Sequence, residues 1–277
     1  MRLDAAVVRL LEDQALLKHH ISGVLEIYAQ QHIDKADPTP ETKETSAVLF
    51  LLGGASCRPA SGKGPCLILN KRSPKVKQPG DLCCPGGGID SRIDPIVARL
   101  LSSPLSPLRR WPAWERRQRR HKTGSRQLAL LLAASLREGL EEMRLNPFGF
   151  EFLGILPPQR LVMFKREIYP LVGWVARQKR FFPNWEVADV VYLPLRNLLD
   201  SGRYARYQLE IETDTGHIPY DREFPCFLQE QNGQAEVLWG ATFRIAMVFL
   251  ALVFGFEPPE MAALPVKRGV LRENYFR

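Results

Sequence analysis

The sequence predicts an α/β protein in which a mixed sheet is covered by helices, with a helical extension at the N-terminus. Residues 3–31 carry apolar side chains at the spacing of an amphipathic helix, which predicts one or two helices there. Short apolar runs and helical segments then follow one another without regular βαβ alternation, which favours a mixed sheet. The length of 277 residues, 45% of them hydrophobic, suits one large domain with extensions.

Turn formers and apolar runs place the elements in order. Prolines and small residues mark the linker and loops, and Asn146-Pro147 ends the central helix because proline has no N–H to donate. The predicted elements are helices in 3–31, a linker at 34–45, strands at 46–52 and 66–69 around a loop at 53–65, a glycine cluster at 85–88, an irregular piece at 95–127, a helix at 128–145, strands at 150–156, 168–176 and 187–193, a short helix around Asn197 and a closing apolar helix at 238–255.

The cysteines and the apolar runs indicate the compartment. Five cysteines are an odd number, no pair has C-x-x-C spacing, and adjacent Cys83 and Cys84 would point to opposite faces of a strand. They are predicted to be small buried hydrophobes in a reducing compartment. The start lacks the pattern of a signal peptide, and the most apolar run, 245–256, is shorter than the roughly 20 residues that cross a bilayer. We expect a cytoplasmic protein without a transmembrane segment.

The segment 136–143, Leu-Arg-Glu-Gly-Leu-Glu-Glu-Met, concentrates acidic side chains on one helix face. Residues three and four apart are neighbours on a helix, so Glu138, Glu141 and Glu142 project together. Crowded carboxylates repel unless a cation lies between them, and Mg²⁺ prefers oxygen ligands. Arg137 is placed to pair with Glu141 and to restrain its orientation. The alternative is an ordinary solvated helix face with an Arg–Glu pair.

A glycine cluster, Pro85-Gly86-Gly87-Gly88, lets the backbone approach a metal or phosphate closely. With the acidic helix it resembles the Nudix box, G-x5-E-x7-R-E-U-x-E-E-x-G-U, where U is a bulky aliphatic residue. Gly88 and Asp94 correspond to the first half, and Arg137 through Leu145 to the second. The resemblance implies a Nudix-type α/β/α sandwich, divided into an extension with its linker at 1–40 and a hydrolase domain at 41–277.

Three positions depart from the pattern of the box. Asp94 stands in place of glutamate, and residues 95–136 replace the usual seven-residue spacer. Gly139 occupies the position of a bulky aliphatic residue. Arg144 occupies the position of the glycine that ends the helix in the family, so Asn146-Pro147 is expected to end it here.

Segments outside the box resemble the coenzyme A pyrophosphatase-type subgroup of Nudix proteins. With the box, the match covers roughly 46–94 and 128–255, which is most of the chain. The matching segments are Leu67-Ile68-Leu69-Asn70-Lys71-Arg72-Ser73 with Gly80, Gly88-Ile89-Asp90, Glu186-Val187-Ala188-Asp189-Val190, Leu193-Pro194-Leu195 and Leu238-Trp239-Gly240-Ala241-Thr242.

The resemblance implies metal-dependent hydrolysis of a small nucleotide substrate, a nucleoside diphosphate linked to another group. Mg²⁺ or Mn²⁺ would neutralise charge while water attacks phosphorus. The implied metal ligands are Glu138, Glu141 and Glu142, with Asp94 as an additional ligand or a loop aspartate, and Glu142 as the indispensable one. The implied catalytic residues are Glu138, Glu142 and Arg137, and the implied substrate-binding residues are Lys71, Arg72, Gly86 and Gly87. Glu186 and Trp239 are weighed as a catalytic carboxylate and a base platform, with surface charge and core packing favoured.

The net charge of +8 comes almost entirely from one segment of the predicted insertion at 95–127. Between 109 and 126 there are eight cations and one anion, Glu115, with Trp111 and Trp114 interleaved. This composition suits nucleic acid, another anionic partner or an anionic membrane surface, and a substrate lid is a further interpretation. A solvated loop accounts for it equally well. Homodimer formation is left open.

Three functions remain in competition. The leading hypothesis is hydrolysis of coenzyme A or acyl-CoA to 4′-phosphopantetheine and adenosine 3′,5′-bisphosphate. The second is hydrolysis of another dinucleotide or of RNA 5′ ends. The third belongs to another class: a non-catalytic binding or regulatory protein on the same scaffold.

Overall fold

The computed structural model describes residues 3–33, 45–54, 64–103, 106–160, 166–213, 216–231, 233–272 and 275. The predicted linker, most of the loop at 53–65, and Cys57 lie outside the described residues. The described helices are α1 Ala5–Glu12, α2 Gln14–Tyr28, α3 Asp94–Leu101, α4 Pro107–Arg110, α5 Trp114–Arg120, α6 Lys122–Met143, α7 Leu195–Leu198 and α8 Gly240–Phe254.

The strands form two sheets, one of eight strands and one of four. The strands of the eight-stranded main sheet are β1 Thr45–Gly53, β2 Cys66–Arg72, β3 Leu82–Cys83, β4 Gly86–Gly88, β5 Phe150–Ile155, β6 Gln159–Arg160, β7 Glu167–Val175 and β8 Val187–Pro194. Those of the second sheet are β9 Tyr204–Thr213, β10 Gly216–Gln231, β11 Gln234–Leu238 and β12 Val266–Arg272.

The main sheet is mixed, as predicted. β1 runs parallel to β7 and antiparallel to β2, and β8 and β5 flank this centre in antiparallel pairings. β1 pairs with β2 at its C-terminal end, whereas its N-terminal end pairs with the glycine strand β4. The glycine cluster is therefore part of the sheet, next to its central strand.

Alternate residues of β1 face two separate layers of helices, which explains why this strand is apolar throughout. Val48, Phe50 and Leu52 belong to a core formed with α2 and α8. Ala47, Leu49 and Leu51 belong to a second core formed with α6 and the helices before it. The sandwich of helix, sheet and helix confirms the predicted fold class, and the N-terminal helices supply part of one layer.

The helix α6 begins earlier than predicted and ends slightly before the predicted stop. It covers Lys122–Met143, 22 residues, instead of 128–145. Arg144 follows it in the left-handed conformation with φ of 56°, and the N–H groups of Arg144 and Leu145 bond to Leu140 and Gly139. Arg144 thus terminates the helix in the conformation that glycine usually supplies, and the prediction that Asn146-Pro147 ends it was wrong.

The prediction that residues 95–127 are irregular was also wrong, because the described part of this segment folds into α3, α4, α5 and the first turns of α6. Four prolines suggested irregular structure, but two of the three described prolines lie at the first or second residue of a helix, where no N–H bond is lost. Trp111 and Trp114 are 3% and 1% exposed and belong to the core beneath α6. Their burial anchors the segment to the sheet.

The second sheet was not predicted as such, and the helix that was predicted to close the chain is followed by β12. Alternation in β9 and β10 is weak because both faces mix polar and apolar residues. The sheet is joined to the end of β2 by an ion pair of 2.7 Å between Lys71 Nζ and Glu236 Oε1. Tyr204 and Phe227 of the second sheet pack in the core formed with α8.

Candidate active site

The carboxylate of Glu142 lies where α6 meets the glycine strand and the end of β2. Its Oε2 accepts hydrogen bonds from the backbone N–H of Gly86, at 3.1 Å, and from Nδ2 of Asn70, at 3.0 Å. No described residue donates to its Oε1, and Oδ1 of Asn70 is buried without a donor in the described part of the chain. Two oxygen atoms at this point are therefore available to a cation, and oxygen is what Mg²⁺ prefers.

The carboxylate of Glu138 lies directly against the glycine strand. A Cβ atom at position 87 would come within 2.5 Å of Glu138 Oε1, so only glycine leaves room for this carboxylate. At position 86 the backbone has φ of 147°, and a Cβ there would come within 2.3 Å of the carbonyl oxygen of Ala47. Gly87 therefore leaves room for the carboxylate of Glu138, and Gly86 lets the strand lie close to β1 while its N–H bonds to Glu142.

Arg137 connects the acidic residues to the start of α3. Its Nε donates to Asp94 Oδ1 at 2.9 Å, its Nη2 donates to the carbonyl oxygen of Gly88 at 3.0 Å, and its Nη1 donates to Glu138 Oε1 at 3.0 Å. The predicted pair with Glu141 is present but is the longest of these contacts, at 3.4 Å. Arg137 thus holds Glu138 in place beside the glycine strand.

Asp94 is fully buried, and both of its carboxylate oxygens are occupied. Oδ1 accepts from Arg137 Nε, and Oδ2 accepts from the backbone N–H of Asp90 at 2.7 Å and from Arg137 Nη2 at 3.3 Å. Asp94 is also the first residue of α3, where an acidic side chain is favourable. This arrangement fits a residue that orients Arg137 better than the metal ligand suggested from the sequence.

The three glutamates of the acidic segment do not meet at one point. The side chain of Glu141 is 55% exposed and contacts only Arg137 among the described residues. In the described part of the chain, no three Asp, Glu, His or Cys side chains are arranged to hold a metal ion by themselves. Glu138 and Glu142 form the compact part of the site, which matches the one or two carboxylates that commonly hold Mg²⁺ together with substrate phosphates.

Burial and crowding disfavour the charged form of both glutamates. The pKa of Glu142 is raised to about 8, first by burial and then by the negative charges of Glu138 and Glu186, while the bond from the N–H of Gly86 opposes this shift. Burial also raises the pKa of Glu138, although Arg137 opposes this shift. A divalent cation between these carboxylates would stabilise their charged forms.

Arg137 is held in its charged form despite its environment. Burial by itself lowers its pKa, but the hydrogen bond and charge of Asp94, together with Glu138, outweigh burial and raise the pKa. A permanent positive charge therefore lies behind the acidic pair.

The loop before β8 completes the end of α6 and brings Glu186 near the site. The N–H groups of Phe182 and Asn184 bond to the carbonyl oxygens of Met143 and Glu142, at 3.0 and 2.8 Å, which would otherwise lack partners at a helix end. Glu186 is partly buried, and its charge acts on Glu142. The sequence argument had favoured surface charge for Glu186.

Asn70 is the residue of this site that the sequence argument gave no role. A signal was available, because Asn70 follows four positions of β2, 66–69, that are all apolar and buried. A fully buried amide in such a strand needs a polar partner, and here the partner is Glu142.

The predicted substrate-binding cations are engaged within the protein. Lys71 is paired with Glu236, and Arg72 Nε donates to the carbonyl oxygen of Lys77 at 2.6 Å. Trp239 donates from Nε1 to Asp81 Oδ1 at 3.1 Å and packs among aromatic rings of the second sheet, as favoured from the sequence. Their roles toward a substrate stay predictions.

The structure accounts for the departure from the box at Gly139. A Cβ at this position would lie 3.1 Å from Leu145 Cδ2 and 3.3 Å from Leu49 Cδ1. Leu145 therefore fills the volume that a bulky aliphatic residue would occupy, and the helix still packs closely on the sheet.

The basic segment is directed to the other end of α6. His121 precedes the helix, and Glu138 lies about 25 Å along it at 1.5 Å per residue. The buried tryptophans cannot stack on bases, so the interleaved pattern does not form a nucleic-acid platform. The lid interpretation also fails for the described segment, because α4 and α5 are packed into the core.

Two further expectations concern cysteines and membranes. Cys66, Cys84 and Cys226 are buried and Cys83 is partly buried, as small apolar side chains would be. Within the described ranges, none of the helices has the length and apolar character needed to span a membrane.

The fold and the site define a class of protein: an α/β/α sandwich in which acidic residues of one helix meet a glycine strand beside a buried Arg–Asp pair. Two bacterial proteins are similar in sequence to part of this chain. The uncharacterized Nudix hydrolase NudL of Pectobacterium atrosepticum is 39% identical over 116 residues, 42% of this chain and 55% of that protein. The protein of the same name from an Enterobacter species is 29% identical over 196 residues, 70% of this chain and 78% of that protein. Over these stretches the chain is similar to proteins named Nudix hydrolases.

Comparisons with protein-family models and with solved structures add little to this sequence similarity. No model of a known protein family matches the chain. The crystal structure of a Nudix hydrolase from M. smegmatis, RenU, aligns with 56% of this chain and 73% of its own at 14% identity, with a TM-score of 0.35. The matches to NudL of Pectobacterium atrosepticum and Citrobacter koseri span only about half of the length of those proteins, 55% in each case.

Proposed function

We propose that this protein is a metal-dependent Nudix pyrophosphohydrolase that cleaves the diphosphate of a nucleoside diphosphate linked to another group. The observation that carries the proposal is the meeting of Glu138 and Glu142 with Gly86 and Gly87. Two desolvated carboxylates beside an open glycine backbone form a place where a cation and a diphosphate fit together. The relationship to proteins named Nudix hydrolases supports the same conclusion.

The donor set fits Mg²⁺ or Mn²⁺. Glu142 would be the principal ligand and Glu138 the second, with Glu141 reaching from the exposed side. When bound, the metal would neutralise the charge that develops on the phosphoryl oxygens. Arg137 keeps Glu138 oriented, and Gly86 and Asn70 hold one oxygen of Glu142, so the other oxygen would remain available to the cation.

Coenzyme A or an acyl derivative is the substrate that we favour. Two of the segments that resemble coenzyme A pyrophosphatase-type proteins contribute residues beside Glu142, and a third contacts the turn before the glycines. Asn70 bonds to Glu142, Glu186 acts on it electrostatically, and Trp239 bonds to Asp81 next to the strand that precedes the glycines. The expected products are 4′-phosphopantetheine and adenosine 3′,5′-bisphosphate.

Specific observations weigh against RNA 5′ ends as the substrate and against a non-catalytic protein, whereas another dinucleotide stays an alternative substrate. RNA 5′ ends would use the basic segment as a track, but its tryptophans are buried and the segment begins at the far end of α6. A lapsed enzyme was suggested by Gly139, Arg144 and the insertion. Leu145 fills the space beside Gly139, and Arg144 adopts the left-handed conformation that ends the helix. The described part of the insertion is folded into the core.

A panel of substrates tests the proposal. The full chain is incubated with coenzyme A, acetyl-CoA, ADP-ribose, dinucleoside polyphosphates and triphosphorylated RNA, in Mg²⁺ or Mn²⁺, and products are identified by mass. We expect cleavage of coenzyme A within its diphosphate and none after chelation of the metal. Cleavage of another member of the panel would correct the substrate. Binding without turnover of any member would overturn the enzymatic proposal.

A further inference from the structure

The side chain of Asn70 lies on the α6 side of the main sheet. Cys66 and Ile68 of β2 belong to the core beneath α6. Leu67 and Leu69, which alternate with them, belong to the core formed with α2 and α8. Because side chains alternate along a strand, Asn70 shares the face of Cys66 and Ile68. An amide therefore stands where this alternation predicts an apolar residue, opposite the acidic end of α6.

The two polar atoms of this amide differ in their partners. Nδ2 donates to Glu142 Oε2 at 3.0 Å, whereas Oδ1 is buried and accepts no hydrogen bond from the described residues. The opposite orientation of the amide would place its oxygen against a carboxylate oxygen, so the partner fixes which atom is which. Asn70 is 1% exposed. A buried acceptor of this kind is costly unless a donor or a cation reaches it.

Oδ1 of Asn70 lies close enough to Glu142 for one cation to reach both side chains. The oxygen and nitrogen of an amide are about 2.2 Å apart, so Oδ1 is at most about 5.2 Å from Glu142 Oε2. Oxygen ligands lie about 2.0–2.1 Å from Mg²⁺, which places two ligands of one ion about 3–4 Å apart. A small rotation of the amide is enough to bring the two side chains into this range.

A neutral oxygen ligand also suits the charge of the site. Glu138 and Glu142 balance the charge of one Mg²⁺ or Mn²⁺ ion, and a diphosphate substrate brings further negative charge. Over the described ranges, no three Asp, Glu, His or Cys side chains are arranged to hold a metal ion. The amide of Asn70 adds a third oxygen without adding another charge, and Mg²⁺ prefers oxygen ligands.

We propose that Asn70 is a ligand of the metal ion through Oδ1, while its Nδ2 holds Glu142 in place. This inference rests on the metal-dependent function proposed above. It adds a residue of β2 to a site that is otherwise formed by α6 and the glycine strand. The ion is then held between the sheet and the helix, rather than on one face of the helix alone.

Electron–nuclear double resonance of Mn²⁺ bound to the full chain tests this contact directly. Asparagine is supplied with ¹³C in its side-chain carbonyl. A coordinated amide places this carbon about 3 Å from the ion, against about 4.5 Å or more when a water lies between them. The dipolar coupling falls with the cube of this distance. We expect the stronger coupling, lost in Asn70→Asp and retained in Asn197→Asp, whose native amide pairs with Gln229.

The affinity of two variants for Mn²⁺ separates a ligand from a residue that only orients Glu142. Asn70→Asp keeps an oxygen and removes the donor, so it should bind Mn²⁺ at least as tightly as the unaltered protein. Asn70→Leu removes both and should weaken binding about tenfold or more. Equal weakening in both variants, or only the weaker coupling, would overturn this inference and leave the metal-dependent function standing. Failure of the unaltered chain to bind Mn²⁺ would overturn both.

Discussion

At its C-terminal end α6 presents two desolvated carboxylates, whereas its N-terminal end is joined to a segment rich in arginine. Both regions are charge clusters in the sequence, and the basic one is the larger. In the structure, Glu142 has no cation in contact and a pKa raised to about 8 by burial, while several arginines are solvated or paired with Glu26 and Glu115. Burial without neutralisation, rather than the number of charges, distinguishes the candidate active site.

The largest effect is expected when the charge of Glu142 is removed, and it tests whether the buried carboxylate distinguishes the acidic end of α6. We expect Glu142→Gln to lower kcat by about three orders of magnitude or more, because it replaces the principal charged ligand with a neutral amide that binds the cation much more weakly. Glu141→Gln serves as the matched variant, and its exposed side chain predicts a much smaller loss. Steady-state kinetics in Mg²⁺ or Mn²⁺ measure both. Equal losses would show that the buried position of Glu142 has no special importance.

The second prediction concerns the basic segment, whose packing depends on the buried side chain of Trp114. Trp114→Ala should lower the free energy of unfolding by about 3–5 kcal/mol, because a fully buried indole is replaced by a cavity. Trp114→Phe should cost less, since its indole N–H is buried without a partner in the described structure. Urea unfolding monitored by circular dichroism measures the difference. A solvated loop, as one sequence interpretation had it, would show almost no effect for either variant.

A third prediction concerns Asp94, which begins the insertion but serves the acidic end. Asp94→Asn should lower kcat about 10- to 100-fold, in the range found for residues that orient metal ligands, because Arg137 would lose its buried counter-charge. Metal affinity should weaken alongside kcat. A complete loss of metal binding, as large as that of Glu142→Gln, would instead indicate that Asp94 is itself a ligand.

The smallest expected effect is a pH dependence of stability in the metal-free protein. The pKa of Glu142 is about 8 in the folded state against an ordinary value of 4.5, so the folded chain retains a proton that the unfolded chain has lost. Its contribution to stability is therefore present below about pH 4.5 and is lost as pH rises through about 8. Unfolding in chelator across this range should show the decline, and Glu142→Gln should flatten it. Arg119→Gln, at the basic end, should leave the slope unchanged.

The sequence predicted the layers of this fold better than it predicted the insertion. Apolar runs placed β1, β2, β5, β7 and β8, because strands that are buried on both faces over much of their length carry consecutive apolar residues there. The prolines in the insertion suggested irregular structure. Two of them instead lie at helix starts, and the sequence could not show this because where those helices begin depends on tertiary packing. The four-stranded sheet was missed because its faces are mixed in polarity.

The candidate site was predictable as a group of residues and not as a geometry. The spacing of Glu138, Glu141 and Glu142 indicated a shared face, but the side of that face toward the glycines belongs to Glu138 and Glu142 alone. The pairing of Asp94 with Arg137 joins residues on either side of the insertion, so no local spacing could reveal it. Asn70 was overlooked because its partner is far away in the chain.

The close contact between α2 and β5 limits how this protein can be shortened. A Cβ at Gly154 would lie 2.6 Å from Cβ of Leu25, and Leu17, Ile21 and Leu25 are fully buried against the sheet. Removing the first 33 residues to obtain a minimal catalytic fragment would expose the apolar face that contains Phe50 and Leu52. Such a fragment should aggregate on expression, so the start of the chain has to be kept in any trimmed version made for crystallisation.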